Sequence, residues 1–545
     1  MDFSFIISGM AGDGIKSTSM VAGKMFSRLG YYVFIDNEYQ SLIRGGHNFS
    51  IVRVSDKKIW GHRRRSELLI ALQDYTISPH NEYVDRVIFD SSGFDYPEGE
   101  GIPMTAFAKE VGAPTGFRNA AAIGALCYMY GVDIGNLNKI YKDAFGDKAE
   151  KDILLAEKGY KYASENLKQM EKVQRAGNPK PILDGNQASG LGAVKAGLKD
   201  YYAYPMTPAS SLLHFLASMK RKLGVTVVQP ENEISVAIMA IGSAFIGRRA
   251  MIGTSGGGFA LMHEAISLAG MAEMPILCLE SQRGAPSTGL PTYNAQEDLK
   301  FVLHAGHGEF PRIVASPGDT EDAYYLGGEL LNLSWKYQSP AILLTDRYLS
   351  ENLATCDIDV DRVTEEPLPL YSGDNSDYRR YSMTESGVSP LAFPPDAMVN
   401  ATGNEHDEYG FTIDTEKEST EMYAKRMRKE EGIREDVKKM DAVRVFGNGT
   451  NVLFTWGSTT GVAVEAASEI GDIKVVQIRY LSPFPDWEIE KLEIDKAVTV
   501  ECNYTGQLRS LLKEHGRINS KLIGNWGGRQ FSIEQLAEKL KEAFE

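Results

Sequence analysis

The sequence predicts an α/β protein of more than one domain, and three observations carry that reading. Short apolar runs alternate with amphipathic stretches along 545 residues, the rhythm of strands joined by crossover helices. Several runs, 274–280 above all, are almost continuously apolar, as strands covered on both faces must be. The length is about three to four times that of a common single domain.

Composition narrows the class. With 43% hydrophobic, 24% charged and 10% aromatic residues, the chain lies far from disordered, collagenous or coiled-coil extremes. The balance of 58 Lys and Arg against 73 Asp and Glu, a net charge of −15, argues against a nucleic-acid backbone or an anionic membrane as the main partner, while leaving room for local basic patches. Only Cys127, Cys278, Cys356 and Cys502 are present, without a C-x-x-C pair. That spacing points away from a disulfide framework, a zinc finger or an iron–sulfur cluster held by this chain alone, so no metal ligands are assigned to it. No apolar run reaches the ~18 to 20 residues that span a bilayer. The start, Met-Asp-Phe-Ser-Phe, lacks a basic leader and a cleavage site, and the expected location is the cytoplasm.

Taken in order, residues 3–8 read as a buried strand, 9–14 as a Gly-rich turn, 17–29 as a helix and 31–35 as a second β-rich run. This is a βαβ unit, which predicts parallel pairing. Strands follow at 49–54, 68–71 and 86–90, with an Ala-rich helix at 119–129. A charged helical stretch over 149–172 is broken by the Gly- and Pro-containing run 175–181, so the first domain is drawn as 1–178. The rhythm then restarts in 179–350, with a helix at 187–196, strands at 201–204, 225–229, 250–254, 274–280 and 341–345, and a helix after Thr207-Pro208. From 351 to 443 the composition shifts to Asp, Glu, Pro, Ser and Asn, an irregular linker or wrapping segment. It closes with a charged surface helix at 416–440. A third α/β unit, 444–545, has strands at 451–455, 473–477 and 497–501. No short solenoid repeat is present.

Gly9-Met-Ala-Gly-Asp-Gly14, between strand and helix, is where an anion would meet free N–H groups and a helix dipole. It is not a P-loop, because Ile15 separates Gly14 from Lys16, and its order G-x-x-G-x-G is not the dinucleotide fingerprint. Three readings stay open: a tight turn that packs helix on sheet, a site for the anionic group of another cofactor and, least favoured by the spacing, a nucleoside triphosphate or NAD site. Arg44-Gly-Gly-His47 is similarly a basic turn for a phosphate or simply a Gly-containing bend. Arg63-Arg64-Arg65 is a solvated basic face or a contact for an acidic tail.

The middle domain holds the most specific constellation. Tyr204-Pro-Met-Thr-Pro208 sets two prolines around Thr207 just after a strand, which fixes the turn and presents the hydroxyl where α/β ligands bind. An N-capping threonine with a helix-starting proline explains the same residues structurally. Pro230-Glu-Asn-Glu233 heads a strongly apolar helix, either as dipole-stabilising acid or as a carboxyl that exchanges protons with a cofactor. Thr254-Ser-Gly-Gly-Gly258 opens another helix with residues small enough for close backbone approach. Arg283, after a buried strand, is suited to clasp a carboxylate through two N–H groups. Several post-strand turns thus converge on one sheet edge.

These motifs, with Gly185-Asn-Gln-Ala188, Glu231-Asn-Glu-Ile234 and Arg283-Gly-Ala-Pro-Ser-Thr-Gly-Leu-Pro-Thr292, resemble the α subunit of 2-oxoacid:ferredoxin oxidoreductases. The N-terminal segment, with Gly9 to Gly14 and Arg44 to His47, resembles the γ module of the same enzymes, fused ahead of α. The resemblance continues through Leu344-Thr-Asp-Arg-Tyr-Leu349, Glu405-His-Asp-Glu-Tyr-Gly410 and Leu481-Ser-Pro-Phe-Pro485. The sequence departs from the family's habit at Met206, Ala209 and Gly257, where Ile, Ser and Pro are common.

The resemblance implies a γ-type α/β domain, then a thiamine-diphosphate pyrimidine-type doubly wound domain, then a transketolase C-terminal-like domain. It implies thiamine diphosphate shared with a β subunit that carries the diphosphate site, Mg²⁺ and a 4Fe-4S cluster, in an αβ or (αβ)₂ assembly. Glu233 corresponds to the glutamate that hydrogen-bonds the aminopyrimidine ring and promotes loss of the thiazolium proton, with Glu231 its neighbour. Thr254, Ser255, Gly256 and Gly257 line the cofactor. Thr207, with Tyr204 and Pro205 of its turn, meets the oxoacid, and Arg283 anchors its carboxylate. Gly12, Gly14, Arg44, Gly45 and Gly46 are the residues carried over for coenzyme A. The implied reaction is coenzyme-A-dependent oxidative decarboxylation of a 2-oxoacid, 2-oxoglutarate favoured, with electrons passed to ferredoxin. Pyruvate or a broad range of acids, a non-redox thiamine decarboxylase or synthase, and a non-catalytic assembly subunit are the alternatives.

Overall fold

A computed structural model describes residues 1–42 and 45–545. The chain is α/β throughout and forms two compact units. The first comprises Met1–Leu183, Asn352–Asp357 and Ser532–Gln535, and the second Asp184–Glu351, Ile358–Phe531 and Leu536–Glu545.

An eight-stranded sheet organises the first unit, in the order Glu100–Ile102, Val87–Asp90, Leu68–Ala71, Asp2–Ala11, Gly45–Ser55, Tyr32–Glu38, Leu353–Thr355, Ile182–Asp184. Asp2–Ala11 and Tyr32–Glu38 do run the same way, joined by the helix Ile15–Ser27, but they are not neighbours. The eleven-residue strand Gly45–Ser55 lies between them, antiparallel to both. The predicted βαβ pairing is corrected in that respect: a direct antiparallel return after Glu38 satisfies both ladders at once.

Helices Asn119–Met129 and Glu150–Asn166 pack closely through glycines. A Cβ at Gly124 would collide with the Ala156 carbonyl, and one at Gly159 with the Ala121 carbonyl. The Ala- and Gly-rich sequence is therefore what permits this approach. The second of these helices ends at Asn166 rather than near 172, because Leu167 turns extended.

Two sheets build the second unit. The larger runs Tyr480–Ser482, Ile313–Ala315, Ala341–Asp346, Leu277–Gln282, Ala250–Thr254, Asp200–Tyr202, Thr226–Val228, parallel except at its first strand. The smaller runs Val443–Phe446, Ile473–Ile478, Asn451–Thr455, Lys496–Glu501, Lys521–Gly524. Asp322, wholly buried, ties them by accepting from Arg479 Nε at 2.8 Å and Gln477 Nε2 at 2.9 Å. The helix Glu416–Val437 is not simply a charged surface helix: it sinks Lys425 and Lys429 to 1% exposure or less. Both ammonium groups pair with Glu273, Lys425 at 2.7 Å, and Arg380 Nη2 donates to the Glu273 carbonyl at 2.6 Å. This buried charge cluster fixes the largely irregular stretch 358–442 to the body of its unit. No helix among the described residues is long and apolar enough to cross a membrane.

Candidate active site

Four adjacent parallel strands of the larger sheet each deliver one part of the predicted constellation at their carboxyl ends. Thr226–Val228 leads to Glu233, Asp200–Tyr202 to Thr207, Ala250–Thr254 to the Gly-rich helix start, and Leu277–Gln282 to Arg283. The chain order doubles back across Asp200–Tyr202, a switch point of the kind where α/β sheets leave a crevice.

Thr207 and Arg283 are joined directly: Arg283 Nη1 donates to the Thr207 carbonyl at 2.8 Å. Partial burial holds the Arg283 guanidinium below its usual range. Its other N–H groups find no acceptor among the described residues, which leaves donors for an anionic ligand. Asn186 secures the turn from within: its Nδ2 donates to the Pro208 carbonyl at 3.0 Å and to Ser211 Oγ at 2.7 Å, while its Oδ1 is unpartnered. Tyr204 and Pro205 are exposed on the same turn.

Glu233 is the first residue of Glu233–Phe245, where Asn232 caps the helix by accepting from Ser235 N–H at 2.9 Å. The Glu233 side chain is only 4% exposed and accepts no hydrogen bond among the described residues. A carboxyl desolvated without a partner is costly, so the position fits one that pairs with a ligand. Gly258 makes room for it: a Cβ there would lie 2.6 Å from Glu233 Oε1 and would collide with Thr254 Oγ1. Glu231 is exposed, and the Ser235 hydroxyl that donates to it keeps its carboxyl below the usual range.

Thr254 and Ser255 are fully buried, and Ser255 Oγ has no partner. Gly256 sits over Asp298, whose carboxylate a Cβ would strike, whereas nothing lies within 4 Å of a Cβ at Gly257. Burial, reinforced by Glu297, pushes Asp298 up to about 6. Glu280 pairs in register with Thr254, is wholly buried with both oxygens unpartnered, and is pushed well above the carboxylate range by burial. An unpaired buried acceptor, an unpaired buried hydroxyl and open space beside a helix start together suit a flat nitrogen heterocycle. Sequence reasoning missed Asp298 and Glu280, which no local motif marks, and gave no role to Asn186, although it lies in the quoted Gly185-Asn-Gln motif.

In the first unit the glycine-rich turn is filled from inside. Gly12 and Gly14 take φ of 103° and 71°, and Asp13 folds back into the turn. It accepts from Met10 N–H at 3.1 Å, Gln73 Nε2 at 3.0 Å and Arg118 Nη2 at 3.0 Å. An internal carboxylate therefore takes part of what an external anion would use, which favours the packing reading for the turn itself. A cleft of about 380 Å³ nevertheless opens beside it, lined by Gly12, Gly14, Lys16, Ser17, Asn48 and Phe49. Gly45 stands opposite Ala11 in the ladder, and the Gly46 carbonyl accepts from the Tyr75 hydroxyl at 3.1 Å. Arg44 lies outside the described residues. Arg64 stacks on Tyr83 at 3.7 Å and Arg65 pairs with Asp85 at 2.5 Å, as a basic face satisfied within its own unit.

Residues 4–162 match the family described as "Pyruvate ferredoxin/flavodoxin oxidoreductase", and 191–429 match "Pyruvate flavodoxin/ferredoxin oxidoreductase, thiamine diP-bdg". The chain is 31% identical to the 2-oxoacid:ferredoxin oxidoreductase subunit alpha of Sulfolobus sp, over 99% of this chain and 96% of that one. It is 30% identical to the 2-oxoglutarate synthase subunit KorA of Methanocaldococcus jannaschii, covering 59% of this chain and 88% of that one. A solved 2-oxoglutarate:ferredoxin oxidoreductase from Magnetococcus marinus, with 2-oxoglutarate, coenzyme A and succinyl-CoA bound, superposes over the full length of both chains, with a TM-score of 0.90 and 30% identity.

Proposed function

We infer the reaction from a plain premise: the chain belongs to the α-subunit family of 2-oxoacid:ferredoxin oxidoreductases. It is an oxidoreductase subunit with a thiamine-diphosphate-binding domain. The reaction we propose is coenzyme-A-dependent oxidative decarboxylation of a 2-oxoacid, with 2-oxoglutarate the favoured substrate. Ferredoxin is the proposed electron acceptor. A β subunit is the proposed source of the diphosphate site, Mg²⁺ and a 4Fe-4S cluster, in a cytoplasmic αβ or (αβ)₂ assembly. Residues 1–178 take the γ-type role, 179–350 the pyrimidine-type role and 444–545 the transketolase-like role, with 351–443 as the wrapping segment.

One observation carries the assignment: the buried, unpartnered Glu233 carboxyl beside Gly258. Thiamine diphosphate, when bound, supplies the carbon nucleophile and electron sink. Glu233, buried and without a partner among the described residues, is the residue that would hold the pyrimidine ring nitrogen by a hydrogen bond from or to its carboxyl. Ser255 Oγ and the open face at Gly257 accommodate the ring. Arg283, steadied by the Thr207 carbonyl, holds the oxoacid carboxylate, with Thr207, Tyr204 and Pro205 lining that end. Coenzyme A is assigned to the cleft at Gly12 and Gly14, with Gly45 and Gly46 beside it.

The test is reconstitution with the β subunit and a panel of 2-oxoacids, following viologen reduction. Coenzyme-A-dependent reduction with the highest kcat/KM for 2-oxoglutarate is expected. Decarboxylation without electron transfer would overturn the redox assignment, and preference for pyruvate, the acid named in both family descriptions, would overturn the substrate.

A further inference from the structure

The charges buried under the helix Glu416–Val437 do not balance. Lys425, Lys429 and Arg380 are each at most 4% exposed, and among the described residues Glu273 is the only acid that pairs with any of them. Their neighbours do not correct this. Arg426, on the same helix, is matched by Glu405 through two bonds of 2.7 and 2.6 Å. His406 is wholly buried with Nε2 unpartnered, and burial holds it below its usual range, so it carries no charge at neutral pH. The Tyr381 phenol beside it, pushed up to about 12 by burial, is neutral too.

The donors do not balance either, since an ammonium has three N–H groups to place. Lys425 directs two at the Glu273 carboxylate, at 2.7 and 3.0 Å, and its charge lies 5.6 Å from the Tyr381 ring. Lys429 meets two acceptors, Glu273 Oε2 and the Gln338 carbonyl at 3.2 Å, and no third among the described residues. A neutral amine makes both contacts. An ammonium there leaves one donor unmet and puts a second cation on a single buried carboxylate, and such a site sheds its proton. Burial accordingly brings Lys429 down to about 7. The residues it holds are strained: Glu273 and Gln338, each just past the end of a helix, take φ of 51° and 49°, which side chains of their kind rarely adopt. The wrapping segment keeps them there through Lys429 and through two further bonds. Arg380 Nη1 donates to Gln338 Oε1 at 2.8 Å, and the Ser389 carbonyl accepts from Gln338 Nε2 at 2.6 Å.

We propose that this cluster is a pH-sensitive clamp: with Lys429 neutral the wrapping segment is fastened to its unit, and protonation of Lys429 loosens it. In the opened segment Lys429 is solvated and titrates near its ordinary 10.5, so between about pH 7 and 10.5 the fastened form binds fewer protons than the open one. Fastening therefore strengthens as pH rises through that window and is weakest below it.

The test is hydrogen–deuterium exchange of the full chain across 380–437 at several pH values from about 7 to 9, with each rate normalised to that of the unfolded peptide. The wild-type equilibrium constant for opening is expected to fall by up to about tenfold per pH unit, the slope of one proton. Lys429→Met, which keeps the apolar stem and has no proton to lose, should remove that slope, while exchange in 1–183 stays the same in both proteins. If the Met variant does not fold, Lys429→Gln, which keeps a donor for the Gln338 carbonyl, reads the same slope. A wild-type opening constant that does not vary with pH, or a slope shared by wild type and variant, overturns the proposal.

Discussion

Gly258→Ala isolates the geometry of the proposed active site from the stability of the fold. Gly258 is helical, in the first turn of Gly256–Met271, where alanine favours the helix by ~1 kcal/mol. Its Cβ would, however, lie 2.6 Å from Glu233 Oε1 and 2.8 Å from Glu233 Cγ, against an ordinary contact of 3.4 Å or more. The Cβ would strike Thr254 Oγ1 still more closely, and Thr254 is fully buried, so both side chains must move, Glu233 by about 0.8 Å, and such overpacking costs ~1 to 3 kcal/mol. The net loss of stability is then at most ~2 kcal/mol, because the helix gain offsets part of the strain. A displacement near 1 Å of a reacting group costs about 10²-fold in rate. Turnover in coenzyme-A-dependent viologen reduction should therefore fall about 100-fold at saturating thiamine diphosphate, while the melting temperature moves by only a few degrees. Gly257→Ala is the companion variant: nothing lies within 4 Å of its Cβ, so melting should rise slightly through the same helix gain, and only thiamine diphosphate affinity should drop. A folded Gly258→Ala enzyme that turns over at the wild-type rate would refute the reasoning.

Other outcomes follow from the same interactions. Arg283→Ala should raise KM for the 2-oxoacid about 10- to 100-fold by removing a charge-assisted contact, with a smaller effect on KM for coenzyme A; an unchanged oxoacid KM removes the anchor role. Glu273→Ala should destabilise the second unit by ~3 to 5 kcal/mol, since Lys425 and Lys429 are left buried and unpaired, and an unshifted urea midpoint would contradict this. His80 is 8% exposed, 3.1 Å from His47 Nε2, and burial lowers it to about 4 against 6.5 in the unfolded chain. Its folded form binds fewer protons between those values, so stability present above pH 6.5 is lost as pH falls toward 4, by at most ~3 kcal/mol. His80→Phe should flatten that part of the stability-versus-pH curve, and an unaltered slope would exclude His80 as its source.

Local patterning made much of the fold legible. The strands at 68–71, 250–254 and 451–455 and the helix at 119–129 end where the apolar periodicity ends. What escaped was pairing at a distance. Nothing near Tyr32 indicates that Gly45–Ser55 inserts beside it, and Leu353–Thr355 reads as linker because its partner strand, Tyr32–Glu38, lies about 320 residues earlier. The helix Glu416–Val437 looks solvated because its sequence is charged, whereas its lysines are buried against Glu273, a contact only tertiary structure creates. At the site, Thr207, Glu233 and Arg283 were legible because each follows a strand in a distinctive motif. Glu280 and Asp298 carry no such motif, since their character comes from desolvation by parts of the chain far away in sequence.

The central claim is that Glu233 is the carboxyl serving the pyrimidine ring of bound thiamine diphosphate. Its most direct test is the rate at which the bound cofactor exchanges its thiazolium C2 proton for deuterium in the reconstituted complex, for wild type and Glu233→Gln. In Glu233→Gln, exchange slowed by at least about 10²-fold with the cofactor still bound is expected. Equal exchange rates in the two proteins would contradict it.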